Sequence, residues 1–185
     1  MRQRPSLRAL RGRVPCAGRS ALLGLAVGCA PSEKSADTAG EQTSEIMDVA
    51  RWRPIEAADD PWPGAEGCSA AATRIEEDVL ELDTGICGHI SVEQTILSAV
   101  EAGEPLALLA WHAALTAPEP AEGWMVLTLD GQTLWELRRP IPSGPFVEAR
   151  EDILGVDAAP GALLRLHVEN HGANSWRFAW LQRAP

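Results

Sequence analysis

The chain has no tyrosine, one lysine (Lys34) and two asparagines, Asn170 and Asn174. Without tyrosine, no phenol can act as acid, base or nucleophile. Common catalytic and cofactor frames are also missing: there is no Gly-x-Ser-x-Gly elbow, no HExxH, no paired CxxC and no Gly-rich phosphate loop. No apolar run approaches the roughly 20 residues a membrane-spanning helix needs. Carboxylates are plentiful, as in Glu76-Glu77-Asp78 and Glu151-Asp152, but no pair is singled out at glycosidase spacing. Such charge runs are most simply solvated faces. No cofactor is expected, and no metal ligand set.

The N-terminus is what stands out. Arg2, Arg4, Arg8, Arg11, Arg13 and Arg19 come with no acidic residue, followed by the short apolar run Leu22-Leu23-Gly24-Leu25-Ala26-Val27 and then Gly28-Cys29. A basic region before an apolar segment too short to cross a bilayer reads as an export signal over residues 1–28. Ala26-Val27-Gly28-Cys29 resembles the lipobox of bacterial lipoproteins. The resemblance implies cleavage before Cys29, acylation of its thiol, and membrane attachment through the lipid. Leu is commoner than Ala at the Ala26 position. Ala30, which is not Asp, implies outer-membrane sorting under the enteric rule.

The leader takes six of the 16 basic residues and none of the 26 acidic ones, leaving ten against 26, a net charge of −16. So acidic a chain repels nucleic acid and anionic headgroups, so nucleic acid is not an expected partner. The expected partners are the membrane, through the lipid, and a glycan or an envelope protein. Removing Cys16 with the leader and Cys29 to the lipid leaves Cys68 and Cys87. An even pair in an oxidising compartment is expected to form a disulfide, contributing roughly 3 kcal/mol by closing a loop of about twenty residues.

Residues 29–67 read as an acidic tether rich in Ser, Thr, Ala and Pro, with a flexible reach on the order of 35 Å. Trp52 and Trp62 interrupt it, either as a docking motif or as packing against the following domain. Residues 68–185 have a period close to two. Val79-Leu80-Glu81-Leu82 is a strand stopped by Asp83-Thr84-Gly85, and Leu106 to Leu115 is apolar on both faces, as a central strand should be. Asp130-Gly131 predicts a tight hairpin. The expected register sets Leu129 against Gln132, Val126 against Trp135 and Trp124 against Leu137, with Trp124, Val126, Trp135 and Leu137 facing the core. Toward the C-terminus, Leu164, Leu166 and Val168 share one face, as do Trp176, Phe178 and Trp180, with His171-Gly172-Ala173 as the turn between the two strands. Ser91 to Gly103 mixes strand alternation with helix punctuation, and strand is favoured because its neighbours are strands.

Short strands joined by Gly, Pro and Asp turns predict an all-β domain, an antiparallel β-sandwich of 7–9 strands. The pattern resembles jelly-roll carbohydrate-binding and galactose-binding-like modules, which implies a glycan-binding role. The candidate site is the segment Asn170-His171-Gly172-Ala173-Asn174-Ser175-Trp176. Amides, an imidazole and an indole there would suit a neutral sugar, with His167 and Arg165 flanking. The competing reading is turn chemistry, since Asn and Gly tolerate left-handed backbone. His167 and His171 are four apart, which brings ligands together on a helix but need not on a strand entering a turn. His112, within an apolar run, reads as a core histidine. The expected function is a non-catalytic binding module anchored in the cell envelope. The alternatives are a structural subunit of an envelope complex and a small metal-dependent or glycan-cleaving enzyme.

Overall fold

In a computed structural model of the chain, the described residues are 45–55, 59–62 and 70–185. The leader, the lipobox and Cys68 lie outside them. Ten strands follow in order: β1 (Arg53–Pro54), β2 (Thr73–Glu76), β3 (Val79–Asp83), β4 (His89–Thr95), β5 (Pro105–His112), β6 (Ala121–Leu129), β7 (Gln132–Ile141), β8 (Phe146–Leu154), β9 (Leu163–Glu169) and β10 (Ser175–Arg183). They form two antiparallel sheets, ordered β1-β4-β9-β6-β7 and β2-β3-β10-β5-β8. From β3 onward the chain crosses between the sheets at every connection except the β6–β7 hairpin. That strand order is a jelly roll with one extra edge strand on each sheet. Among the described residues, no helix is long and apolar enough to cross a membrane.

The inner faces meet in one core. Leu80, Leu82, Leu106, Leu108, Trp176 and Phe178 come from one sheet, and Ile90, Val92, Met125, Leu127, Leu164, Leu166 and Val168 from the other. The alternation read in β3 and β9 holds, because nothing interrupts the pleat there. The expected β6–β7 turn also forms. Asp130 and Gly131 both have positive φ, 48° and 78°, and Leu129 pairs with Gln132.

The expected register holds through Thr128 against Thr133 and then fails. A bulge between Leu127 and Thr128 shifts the pairing by one, so that Leu127 faces Trp135, Met125 faces Leu137 and Trp124 faces Arg138. Trp135 and Leu137 still contribute to the core, but their partners are Met125 and Leu127. Trp124 and Val126 lie on the opposite, outer face of β6. A second bulge, between Phe178 and Trp180, puts Leu181 rather than Trp180 in the core. The turn expected between paired strands at His171-Gly172-Ala173 is instead a crossover, since β9 and β10 belong to different sheets.

Two further differences concern boundaries. β4 stops at Thr95, and Ile96 to Gly103 is loop apart from a single bridge between Val100 and Ala158. The sandwich also begins before residue 68: Ile46, Met47, Trp52 and Ile55 are buried, and β1 pairs with β4. Trp52 packs edge-on against Phe178, which settles its place as packing. With β1 and β2 included there are ten strands, one more than the expected maximum.

Candidate functional site

The segment between β9 and β10 is stitched to two neighbouring loops. Asn170 Nδ2 donates to Thr84 Oγ1 and to the Gly172 carbonyl, both at 2.9 Å, and Asn170 Oδ1 accepts from Trp176 Nε1 at 3.3 Å. Asn174 Oδ1 accepts from the Thr116 amide at 2.7 Å, while its Nδ2 donates to the Thr116 carbonyl at 2.9 Å. Both asparagines are buried and Trp176 has no exposed surface. Gly172 has φ +117°, and a Cβ there would fall 2.1 Å from the Thr116 carbonyl oxygen. The residues that looked like a ligand site hold the crossover against the loops after β3 and β5. Of the segment's candidates, His171 alone is exposed.

The outer face of the β1-β4-β9-β6-β7 sheet gathers the remaining candidates. The pairings set His89, Glu169, Trp124 and Arg138 in one row across β4, β9, β6 and β7. Ser91, His167, Val126 and Glu136 form the next row, and Glu93, Arg165 and Thr128 the one after. Arg165 is held by Glu93 at 3.0 Å. His167 is buried, and its Nδ1 lies 2.7 Å from Ser91 Oγ. Trp62 stacks on the His167 ring at 4.6 Å, and Trp124 meets that ring edge-on at 5.6 Å. Burial pushes the His167 pKa down to about 4, with the Asp60 carboxylate opposing and His89 adding to the fall.

Beside this row is a groove of about 560 Å³. Trp124, Arg138, Glu122, Glu169 and His171 line it, and the loop from Ala117 to Ala121 forms its wall. Pro118 and Pro120 fix φ in that wall, so the shape is largely set before any ligand arrives. The Arg138 guanidinium sits 4.7 Å over the Trp124 ring and reaches Glu122 at 2.8 Å. Trp124 Nε1 donates to Glu136 at 3.2 Å. Exposed ion pairs of this kind contribute about 0–1 kcal/mol, so Arg138 can exchange partners at little cost.

A second concavity of about 570 Å³ lies on the other sheet, between Glu76, Glu77, Val79, Glu81, Trp111 and Arg177. Its central carboxylate is already engaged. Glu81 accepts from Ser175 Oγ and is paired with Arg74 at 2.7 Å and Arg177 at 3.4 Å. Burial works to raise its pKa, but these donors and cations outweigh that and hold it below the usual carboxylate range.

The chain is thus a jelly-roll β-sandwich with a ligand-sized groove on one outer face. No protein-family model and no curated protein sequence matches it. Among solved structures it is similar to a carbohydrate-binding module of the CBM4 type, at 13% identity and TM-score 0.38, over 61% of this chain and 85% of that one. It is also similar to TmCBM61 in complex with beta-1,4-galactotriose, at 12% identity and TM-score 0.33, over 76% and 92%. A third likeness is to the enzymatically active domain of tailspike protein 4 from bacteriophage CBA120, at 15% identity and TM-score 0.38. It covers 77% of this chain but only 20% of that one. At these identities and TM-scores the likenesses do not define the fold, which rests on the strand order, and they imply no shared ligand.

Sequence reasoning missed the groove because it placed Trp124 in the core. Unbroken alternation along β6 keeps Met125, Leu127 and Leu129 in the core and turns that indole outward, while the extra residue in β7 lets Trp135 and Leu137 face inward. The available signal was weak: Asp-Gly fixes the turn, but nothing near Leu134 announces an extra residue.

Proposed function

We propose that the protein is a lipid-anchored component of a bacterial cell envelope whose sandwich binds a neutral, hydroxyl-rich ligand, a glycan in the first instance, without transforming it. One observation carries the binding reading: the outer-face groove puts the half-buried Trp124 indole beside Arg138, Glu122, Glu169 and His171. Indole and polar groups in a concave site suit a pyranose, whose apolar face stacks while its hydroxyls meet carboxylates and guanidinium. The charge selects within that class. Glu119, Glu122 and Glu169 face the groove against Arg138, so an anionic sugar is repelled.

The test is a neutral-glycan array followed by titration calorimetry on the wild type, Trp124→Ala and Asn174→Ala. An aromatic contact contributes about 0.5–1.5 kcal/mol beyond the area it buries, so Trp124→Ala should weaken binding roughly tenfold. Asn174→Ala, outside the groove, should leave affinity unchanged. If no neutral glycan binds, or if Asn174→Ala alone reduces affinity, the groove is not the site.

A further inference from the structure

The row that carries Trp124 ends in a cluster that shares only Glu169 with the binding groove. His89 on β4 lies directly across from Glu169 on β9, and His167 is two residues back along β9 on the same face. Together the three offer donor atoms that all lie within 4.8 Å of one another. Their spacing in sequence hides this: His89 is brought in by strand pairing, and His171 plays no part.

We propose that His89, His167 and Glu169 form a site for a divalent transition-metal ion of the zinc type. Two imidazoles and one carboxylate are the donor set such ions prefer; calcium and magnesium take oxygen ligands instead. Metal–ligand bonds of about 2.0–2.1 Å place tetrahedral ligands roughly 3.4 Å apart. The present spread closes to that by a small rotation of the half-buried His89 and Glu169 side chains, with the backbone held by the β4–β9 pairing.

Two observations beyond the spacing point the same way. The Nδ1 of His89 is buried with no hydrogen-bond partner among the described residues, a condition a bound cation relieves. His167 is already oriented by Ser91 Oγ on its Nδ1. With that nitrogen donating to the serine, the remaining lone pair is on Nε2, the arrangement by which metal-binding histidines are held in place. Trp62 stacked on the His167 ring covers the cluster from one side. Three protein ligands leave the fourth position open, and because Glu169 also lines the groove, that position is adjacent to bound ligand.

The proposal does not depend on glycan binding, so its test uses metal alone. The mature protein is stripped with a chelator and titrated with Zn²⁺ by calorimetry, with metal content read by mass spectrometry. The expected result is one equivalent per chain. His89→Ala and Glu169→Gln should each weaken binding at least about tenfold, and Ser91→Ala by about tenfold. His171→Ala, an exposed histidine outside the cluster, should have no effect. Cobalt(II) in the wild type should give the intense visible bands of four-coordination, a readout needing no variant. Absence of stoichiometric binding overturns the proposal. So does a weak octahedral-type cobalt spectrum, or affinity that is insensitive to His89→Ala and Glu169→Gln but lost with His171→Ala.

Discussion

His112 lies under the β9–β10 crossover, buried against Trp176 at 4.8 Å and Phe146 at 6.0 Å. Its Nδ1–H donates to the Ala113 carbonyl at 2.7 Å, and no partner is found for Nε2 among the described residues. Burial pushes its pKa below the ordinary 6.5; the Ala113 bond opposes this and the nearby Arg139 charge adds to it. In the unfolded chain the ring takes up a proton near pH 6.5, whereas in the folded protein it resists doing so. Stability from this group is therefore complete above about pH 6.5 and is lost as pH falls from there toward the depressed folded value. The slope is at most about 1.4 kcal/mol per pH unit. Thermal melts between pH 8 and pH 5 should show Tm falling below about 6.5; the buried His167 contributes to the same fall, so His112→Gln should make it shallower without removing it. A wild-type Tm independent of pH over this range would contradict the assignment. As a residue, His112 was legible as a core histidine from its apolar neighbours; its ring contacts were not, since Trp176 and Phe146 reach it from other strands.

Among elements, the β9–β10 crossover shows how turn residues can imitate a binding site. Asn170 and Asn174 were conspicuous as the only asparagines, and their chemistry does matter, but toward Thr84 and Thr116 rather than toward a ligand. Asn174→Ala removes both side-chain bonds to the Thr116 amide and carbonyl, at a junction that is only part-buried. Two such bonds together contribute about 1–3 kcal/mol, which for a domain of this size lowers Tm by roughly 4–10 °C. A melt of Asn174→Ala within a degree of wild type would show that the stitch is dispensable. The other elements divide by what sets their register. β3 and β9 follow simple alternation, so their core faces could be read directly. β6–β7 and β10 contain bulges, and one inserted residue moves every later side chain to the opposite face. β2 was unread for another reason: its turn to β3 places Glu77 and Asp78 at φ 50° and 62° with neither glycine nor asparagine to mark it. The His89–His167–Glu169 cluster was illegible because it depends on the β4–β9 pairing, which no local pattern specifies.

For the whole molecule, the proposed function divides the chain between an N-terminal anchor and a binding sandwich. Residues 29–185 carry a net charge of −16, so electrostatic adhesion to anionic lipid is unfavourable, and the attachment proposed above rests on acyl chains. Two or more chains are needed for stable anchoring, since a single myristoyl-length chain binds only marginally. Cys29, the predicted acylation site, lies outside the described residues. Cys87 is disulfide-bonded, its Sγ 3.1 Å from the His89 carbonyl oxygen. The expected partner, Cys68, is outside the described residues as well. Intact-mass spectrometry of the protein extracted from membranes tests both assignments at once. The expected mass corresponds to a chain beginning at Cys29, increased by the diacylglyceryl and acyl groups and decreased by two hydrogens for a Cys68–Cys87 bridge. Reduction and alkylation should then label two thiols. Cys29→Ala should move the protein from the membrane pellet to the soluble fraction, or leave an uncleaved precursor, with the melting temperature of the sandwich unchanged. An unmodified Cys29 in the mature chain, or a Cys29→Ala protein that still sediments with membranes after leader removal, would instead place the attachment in the folded domain. The outer-face grooves would then be the first surfaces to test for it.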